Sequence, residues 1–400
     1  MILLKNISIL YGRELDYIDR AGIIINDDGL FYRIVKDEDY SDIYTDNLRV
    51  IDCEGMLLMP SFINAHTHIA DSIAKDITEG CSFNASIHPV FGIKRKVLED
   101  TPKEYIEHFI KVSMLSMIRN GITTFIDFRE QGVKGVHMLR SISKCMNIRC
   151  VILGGVEHYN SDLDDYAKRE AEQVIDSADG FGLSGPNEYT DGALKYLAYI
   201  AKSRNKLFGI HAAEAVESCS YSLEMYKVSE VKRLLGLVRP DFVVHMTNAT
   251  DDDILNVRDN GVGIVVCPRA NASLSVGIPR VWDMLRLGCR LAIGTDNVML
   301  NKPDIFREME YIWNVSRALK HNLPAREILK MATVNAADIF GLKRLGYIDE
   351  GMYADAIVID KYDVELAEML NPYVSLVHRA SESSIKCVML NGNVVHGSIE

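Results

Sequence analysis

The stretch MLLMPSFINAH, residues 56–66, is an almost continuous apolar run that ends in a histidine, and His68 follows two positions later. A strand that is buried on both faces has this composition, because its neighbours and the covering helices remove both faces from water. Alternate residues of a strand point the same way, so His66 and His68 can hold one ion together. The stretch therefore predicts a central strand of a parallel sheet with two imidazoles at its carboxyl end.

Seven further apolar runs follow the first one. They span residues 122–128, 149–155, 180–185, 207–213, 241–246, 261–267 and 290–296. The segments between them, such as residues 101–120 and 191–205, carry apolar residues at spacings of three and four, which is typical of amphipathic helices. Eight strand–helix units of this size predict an α/β protein with a (β/α)8 TIM-like barrel. A doubly wound open sheet is the alternative.

The two ends of the chain have a different texture. Residues 1–55 contain short alternating segments, and the tail repeats this pattern over residues 354–363 and 384–397, where Asn391-Gly392 suits a hairpin turn. We expect residues 1–55 and 346–400 to form one composite small β domain, a β-sandwich. The barrel is then expected to span residues 56–345.

The composition limits the class of protein. Of the 400 residues 48% are hydrophobic and 25% are charged, as in globular enzymes, and no apolar run reaches the length of roughly 18 residues that a membrane helix needs. A net charge of −12 argues against nucleic-acid and anionic-membrane partners. The eight cysteines lack a framework spacing, and the first residues read as a strand without a cleavage site, so we expect reduced thiols and a cytoplasmic location.

Polar residues also end other predicted strands. His211 ends the fifth run, His245 the sixth and Asp296 the eighth, and barrel enzymes carry their catalytic groups at these carboxyl ends. Three imidazoles and one carboxylate suit a borderline divalent ion such as zinc, with a position left open for water. The fourth run has no lysine that could bridge two metals. This favours one metal ion and leaves His245 as a base or an electrophile.

Glu214 stands three residues after His211, too far along the chain to be an obvious ligand. A bound divalent ion lowers the pKa of its water toward neutrality and so provides hydroxide as a nucleophile. A carboxylate beside that water can carry protons to a ring nitrogen and to a leaving amine. A solvated glutamate on the loop is the alternative interpretation of Glu214.

On these residues the chain resembles the amidohydrolase superfamily, in the branch of cytosine deaminase, guanine deaminase, S-adenosylhomocysteine deaminase and triazine chlorohydrolase. The motifs span nearly the whole chain: MPSFINAHTH, HAAE, VVHM, CPRANASLSVGIP, GTDN and the tail GYIDEGMYADAIVID. The resemblance implies four metal ligands, which are His66, His68, His211 and Asp296. It further implies that Glu214 shuttles protons to the substrate ring, that His245 orients or polarises the attacking hydroxide, and that Asp296 also accepts a proton from the water.

Departures from the family pattern concern the substrate. The segment GPNEYTD, residues 185–191, replaces a segment that often carries a histidine, so Asn187 or Glu188 is expected to face that part of the substrate. His88 lies in the loop after the first predicted strand, which lacks the pattern usual in the family, and it could reach over the pocket. The weaker substrate-binding candidates are Arg129, His158, Asn187 and Asn271. For Arg129, a structural ion pair is the alternative.

We therefore expect a metal-dependent aminohydrolase, or deaminase, that acts on a small cyclic amidine such as a nucleobase, a nucleoside or a related heterocycle. A metal-bound hydroxide would attack, and ammonia would be released. The alternatives are ring-opening amide hydrolysis of the imidazolonepropionase kind, C–Cl hydrolysis, and an inactive binding protein. The expected cofactor is one divalent ion per chain, zinc with iron or manganese as alternatives. The expected partner is a small heterocyclic substrate, with no nucleic acid and no membrane, and a homo-oligomer is left open.

Overall fold

The computed structural model describes residues 1–35 and 48–399, and it confirms a mixed α/β fold. The chain divides into two compact units. One comprises Met1–Ile63, Leu115–Thr124 and Asp304–Glu400, and the other comprises Asn64–Met114 and Phe125–Pro303. The division predicted from the sequence, after residues 55 and 345, stays a prediction.

The strands of the described ranges are β1 Ile2–Tyr11, β2 Asp16–Ile25, β3 Phe31–Val35, β4 Arg49–Asp52, β5 Met56–Pro60, β6 Phe62–His68, β7 Ile122–Arg129, β8 Arg149–Gly154, β9 Gly180–Leu183, β10 Leu207–Ala212, β11 Phe242–His245, β12 Gly263–Val266, β13 Leu291–Ile293, β14 Asp296–Asn297, β15 Ala356–Asp360, β16 Ile385–Leu390 and β17 Asn393–Gly397.

The α-helices of these ranges are α1 Phe83–Ile87, α2 Ile93–Asp100, α3 Lys103–Arg119, α4 Gly132–Ser143, α5 Asp165–Ser177, α6 Asp191–Ser203, α7 Val216–Tyr226, α8 Glu230–Leu237, α9 Asp251–Asp259, α10 Pro268–Ser273, α11 Val281–Arg286, α12 Ile305–Ala318, α13 Ala325–Met331, α14 Val334–Ile339 and α15 Pro372–His378. Short 3-10 helices span Ile69–Ala74, Pro186–Glu188 and Glu382–Ser384.

Strands from both ends of the chain form one eight-stranded sheet. Its order is β17-β16-β15-β5-β1-β2-β3, and β4 pairs with β1. Leu4, Ile23, Leu58, Val358 and Met389 pack into one buried cluster, so residues from both ends build a common core.

The hairpin between β16 and β17 has the predicted turn. Asn391 and Gly392 both have positive φ, 49° and 73°. Two-residue turns of this kind match the twist of the flanking strands, and asparagine followed by glycine tolerates their backbone at the least cost.

The second sheet has nine strands in the order β13-β12-β11-β10-β9-β8-β7-β6-β14. The pairs from β8 through β13 are parallel, and β14 pairs in parallel with β6. β13 and β14 are two pieces of the eighth predicted run. Gly294 donates its N–H to Val266 O at 3.0 Å, and Thr295 donates to His66 O at 3.1 Å. The parallel sheet therefore curls until its eighth run meets both its seventh strand and its first.

Gly294 is required where the eighth run passes the first strand. A Cβ at this position would lie 2.6 Å from His66 Cβ and 2.8 Å from His66 N. Contacts this short force the backbone apart, so the absence of a side chain lets the two strands meet beside His66.

The prediction of one strand over residues 56–66 was wrong. The run is divided at Ser61, because Leu58 pairs with Val358 and Ile9 in the first sheet, whereas β6 belongs to the parallel sheet. A continuous apolar run fits either sheet, so its composition could not show the division. The other seven runs form strands at the predicted places. Most are shorter than predicted, but the second extends to Arg129 and the eighth is divided into β13 and β14.

The two helices named from the sequence are present as α3 and α6. Thr190 caps α6 by accepting a hydrogen bond from Ala193 N, and Leu194 and Leu197 face the interior. Among the residues that the structure describes, no helix is both long enough and apolar enough to cross a membrane. All eight cysteines are free.

Candidate metal centre and pocket

The predicted ligands lie together at the carboxyl ends of parallel strands. His66 and His68 end β6, His211 lies in β10, His245 ends β11 and Asp296 begins β14. Two overlapping groups of these residues have ligand atoms within 4.8 Å of one another: His66, His68 and His211, and His66, His245 and Asp296. The structure thus brings all five residues to one point.

Two of these residues have a strained backbone. His245 has a φ of 77° and Asp296 a φ of 62°, in the left-handed region that non-glycine residues rarely adopt. Such conformations persist only where the surrounding structure holds them, and they cluster at functional sites. Both residues with this backbone conformation, His245 and Asp296, contribute their side chains to the cluster.

The distances describe a compact set of donors. His66 Nε2 lies 3.2 Å from Asp296 Oδ1 and 3.3 Å from His211 Nε2. His68 Nε2 lies 3.4 Å from His211 Nε2 and 3.7 Å from Asp296 Oδ1. Four ligand atoms therefore converge on a volume of the size that one ion fills.

The hydrogen bonds behind the rings fix which nitrogen faces this volume. His68 Nδ1–H donates to Glu130 Oε1 at 2.8 Å, and His211 Nδ1–H donates to Leu183 O at 2.8 Å. Both Nε2 atoms consequently carry lone pairs, and two lone pairs 3.4 Å apart repel each other unless a cation lies between them.

Burial first, and then the neighbouring imidazoles, hold the pKa of His211 well below its usual value, so this ring does not supply a proton as the cation. Burial likewise lowers the pKa of His66 to about 3. For Asp296 burial acts to raise the pKa, but the hydrogen bond from His66 and the nearby histidines lower it below its ordinary range. Asp296 Oδ2 is buried and has no hydrogen-bond partner among the described residues. Neutral imidazoles and an ionised carboxylate are what a divalent ion such as zinc requires, so the residues fit this cofactor.

Glu214 lies beside the ligands as a buried carboxyl group. Its Oε2 is 3.5 Å from His245 Nε2, and its Oε1 has no hydrogen-bond partner within the described ranges. Burial, and after it the negative charge of Asp296, raises the pKa of Glu214 well above its usual value. The group therefore holds its proton more tightly than an exposed glutamate does, and it can deliver that proton to a bound molecule.

His245 is held by Asn271. Asn271 Nδ2 donates to His245 Nδ1 at 3.0 Å, which leaves the proton of the ring on Nε2, toward Glu214. Burial lowers the pKa of His245 to about 4, so the ring is neutral. A neutral imidazole with this tautomer can donate a hydrogen bond to an oxygen in the site.

The weaker substrate-binding candidates have different surroundings. Arg129 is fully buried, lines the pocket, and donates to Glu130 Oε2 at 3.2 Å and to Gln131 Oε1 at 2.9 Å. His158 pairs with Glu170 at 2.7 Å, and Asn187 Nδ2 donates to Ser218 O at 2.9 Å.

In the described part of the chain, the side chains that line the pocket include Arg129 and His88 but not His158, Asn187 or Asn271. His88 stacks on Phe91 with 3.7 Å between the ring centres. A role in substrate binding stays a prediction for each of the four candidates.

Several residues of the site were missed in the sequence. Lys94 Nζ lies 2.5 Å from Glu130 Oε1, and Asp71 accepts hydrogen bonds from Asn297 Nδ2 at 2.7 Å and Met299 N at 3.0 Å. Burial acts to raise the pKa of Glu130, but Lys94 and the contact with His68 lower it well below its usual value. Glu130 directly follows the second strand of the parallel sheet, and this position was the available signal. Lys94 lies in a short helix within a loop, and its sequence context gave no such signal.

Two further carboxyl groups, Glu188 and Glu230, line the pocket. Glu230 Oε2 accepts hydrogen bonds from Ala213 N at 3.0 Å and Ser218 Oγ at 2.8 Å. Burial first, and then the charge of Glu188, raises the pKa of Glu230 to about 7. The native protein therefore retains this proton up to a higher pH than the unfolded chain does.

This shift predicts a pH-dependent effect of Glu230→Gln. A pKa raised in the folded state contributes stability that is complete below the unfolded value of 4.5 and is lost as the pH rises through about 7. The glutamine does not titrate, and its oxygen can accept the same two hydrogen bonds. We take the difference between the midpoint of thermal unfolding of Glu230→Gln and that of the unsubstituted protein. We expect this difference to be larger at pH 8 than at pH 5. Glu224→Gln, on the exposed face of α7, is the control, and an equal gap at both pH values would contradict the prediction.

Comparison with known proteins agrees with this geometry. The amidohydrolase family model matches residues 57–395. A putative aminohydrolase from Methanothermobacter thermautotrophicus is 34% identical over 398 residues, which cover 99% of each chain. A 5-methylthioadenosine/S-adenosylhomocysteine deaminase from Acetivibrio thermocellus is 28% identical over 420 aligned positions, covering 98% of this chain and 93% of that protein.

A solved structure shows the same fold. The crystal structure of an adenosine deaminase from Xanthomonas campestris with bound zinc matches with a TM-score of 0.87 and 20% identity, over 98% of this chain and 92% of that one. The resemblance inferred from the sequence is confirmed, and the family match covers most of the residues. This chain belongs to the amidohydrolase family.

Proposed function

We propose that this protein is a metal-dependent deaminase that converts a small cyclic amidine into the corresponding carbonyl compound and releases ammonia. The observation that carries the proposal is a largely buried carboxyl group with a raised pKa, Glu214, beside the converging candidate metal ligands. The relatives named as an aminohydrolase and as a 5-methylthioadenosine/S-adenosylhomocysteine deaminase support the same reaction class and a nucleoside-like heterocycle as its substrate.

The proposed site is a single metal centre. His66, His68, His211 and Asp296 would hold one zinc ion, and the zinc bound in the related fold supports this choice over iron or manganese. Such an ion acts as a Lewis acid and makes water nucleophilic near neutral pH.

The residues of this chain then move the protons. Asp296 Oδ2, which is buried and without a partner in the described residues, accepts a proton from the attacking water. His245 Nε2–H donates a hydrogen bond to the attacking oxygen. Glu214 gives its proton to the ring nitrogen next to the carbon under attack. The amine then gains the proton that Asp296 took from the water and leaves as ammonia, while the new hydroxyl group returns a proton to Glu214 as the carbonyl forms.

We also propose the finer description of the fold. The meeting of the eighth run with β6 and β12 supports a (β/α)8 TIM-like barrel. The shared core of the terminal strands supports a small β-sandwich. The eight free thiols are compatible with the cytoplasmic location that we propose.

We expect the purified protein to bind about one zinc ion per chain and to release ammonia from an amino-substituted heterocycle. One ligand set of the required chemistry is visible in the described ranges, and it lies in the pocket. Elemental analysis of the metal and an ammonia assay across purines, pyrimidines, pterins and nucleosides measure both quantities. Two essential ions per chain would contradict the single-metal site.

The products of that screen decide between the proposed reaction and its alternatives. A ring-opened product without ammonia would indicate an amide hydrolase, and release of chloride would indicate a C–Cl hydrolase. A chain that binds no metal and changes no compound would be an inactive binding protein.

A further inference from the structure

An ion pair between a buried lysine and a partly exposed glutamate lies next to the proposed ligands but is not part of the ligand set. Lys94 belongs to α2 and is only 8% exposed, although lysine is rarely buried without a partner. Its Nζ lies 2.5 Å from Glu130 Oε1 and 3.9 Å from Asp71 Oδ2. Both Lys94 and Glu130 line the pocket.

We propose that Glu130 and Lys94 form a positioning pair for His68, in which the carboxylate fixes the ring and the ammonium fixes the carboxylate. This inference rests on the metal site of the proposed function. It assigns neither residue to the chemical step, since both act through His68.

Glu130 determines the orientation and the tautomer of His68. A carboxylate only accepts hydrogen bonds, so the Nδ1 that lies 2.8 Å from Glu130 Oε1 must carry the proton, and Nε2 is left with its lone pair. The second oxygen, Oε2, accepts from Arg129 Nη1 at 3.2 Å. With both oxygens held, the carboxylate cannot turn away from the ring without breaking another contact.

Lys94 has a function that Arg129 does not share. Arg129 bonds to Oε2, whereas Lys94 contacts Oε1, the oxygen that His68 uses. Loss of the ammonium would leave this oxygen with His68 alone and would leave a partly buried carboxylate with weaker compensation of its charge.

The same ammonium also lies near the segment that carries Asp296. Asp71, 3.9 Å from Lys94 Nζ, accepts a hydrogen bond from Asn297 Nδ2, and Asn297 is the residue after Asp296. The contact with Asp71, at 3.9 Å, is the weaker of the two, and Lys94 acts on the ligand set through Glu130.

Helix α2 is fixed to the metal site as a consequence. It contributes Arg95, Leu98 and Glu99 to the pocket, so the lysine that holds Glu130 also places part of the wall that a substrate would touch.

The test measures zinc affinity by competition with a chromogenic chelator for Glu130→Gln, Lys94→Met and the double variant. We expect Glu130→Gln to weaken zinc binding by a factor of about 10 to 100, the usual effect of losing a partner of a ligating histidine. Lys94→Met should weaken it by a smaller factor. The double variant should bind zinc no more weakly than Glu130→Gln alone, because the lysine acts through the carboxylate.

Lys96→Met is the matched control, because Lys96 lies on the same helix with an exposed side chain. We expect its zinc affinity to equal that of the unsubstituted protein. Amide hydrogen exchange gives a second measurement: zinc should slow exchange in α2 of the unsubstituted protein, and Lys94→Met should abolish this effect while protection near His211 remains.

Three results would overturn the positioning pair. One is a zinc affinity of Glu130→Gln within about twofold of the unsubstituted protein, against the larger loss expected for such partners. Another is tighter binding in Lys94→Met, which would show that the ammonium acts only as a repelling charge. The third is a double variant that binds more weakly than Glu130→Gln. If Lys94→Met does not fold, the comparison of the double variant with Glu130→Gln still tests the proposal. The double variant has no charge at position 94 or at position 130, so neither position carries an unpaired one.

The inference and the proposed function can fail separately. A protein that binds zinc with the expected pattern of affinities but releases no ammonia would disprove the deaminase and leave the pair intact. Unchanged affinities in an active deaminase would disprove the pair alone.

Discussion

Replacement of Glu214 by glutamine is expected to lower the rate of ammonia release by a factor of about 10² to 10⁴, the usual contribution of a positioned acid–base group. Glutamine has nearly the same shape as glutamate, but its amide does not carry a transferable proton. The Glu214 carboxyl lies 3.5 Å from His245 and belongs to neither metal-binding group, so the zinc content should stay unchanged. The measurement is metal content and initial rate on the same preparation.

Glu217→Gln is the control for this substitution. Glu217 lies three residues further along, on an exposed turn of α7. Its replacement by glutamine should leave both the zinc content and the rate of ammonia release unchanged. Loss of zinc in Glu214→Gln would show that Glu214 is a ligand. Full activity with full zinc would show that the buried proton has no part in the reaction.

His211→Ala is expected to lose both the metal and the activity. His211 Nε2 lies 3.3 Å from His66 Nε2 and 3.4 Å from His68 Nε2, at the centre of the three imidazoles. Its removal leaves an incomplete coordination sphere, and zinc affinity should fall far enough for the protein to be purified largely without metal. Elemental analysis and the ammonia assay measure the two losses.

His137→Ala provides the comparison, because His137 lies on the exposed face of α4. It should retain zinc and the full rate. The proposed site would be wrong if His211→Ala kept a full equivalent of zinc, whatever its activity.

Together the two substitutions separate metal binding from proton transfer. The expected pattern is metal without activity for Glu214→Gln, and neither metal nor activity for His211→Ala. A structural role for Glu214 would produce unfolding or metal loss instead, so the zinc content of the glutamine variant is the decisive measurement.

The sequence allowed the parallel sheet and the ligand cluster to be predicted because both follow from local rules. A strand buried on two faces is apolar along its length, and the carboxyl ends of parallel strands in a barrel meet at one face. His211 and Asp296 could therefore be placed near His66 without knowledge of any contact. The same rules do not specify the sheet to which an apolar run belongs, and for this reason the division at Ser61 was missed.

The surroundings of the ligands depend on contacts between distant segments. Lys94 lies in an amphipathic loop helix, and nothing local distinguishes it from Lys96, yet one is buried against Glu130 and the other is exposed. Asn271 was predicted from its place after a strand and Asn187 from a departure from the family pattern, but their amides bond to His245 and to a backbone carbonyl. Such pairings depend on side-chain packing, which a sequence pattern does not encode.

The junction of the eighth run with the first strand has a consequence for the order of events during synthesis. Asn64 and Thr295 exchange hydrogen bonds across a separation of 231 positions, next to His66 and Asp296. A chain still attached to the ribosome lacks this junction until residue 296 has emerged, and closure of so long a loop is entropically unfavourable until the intervening strands are in place. We therefore expect the proposed metal site to be completed late in the maturation of the protein, after this part of the chain has been translated.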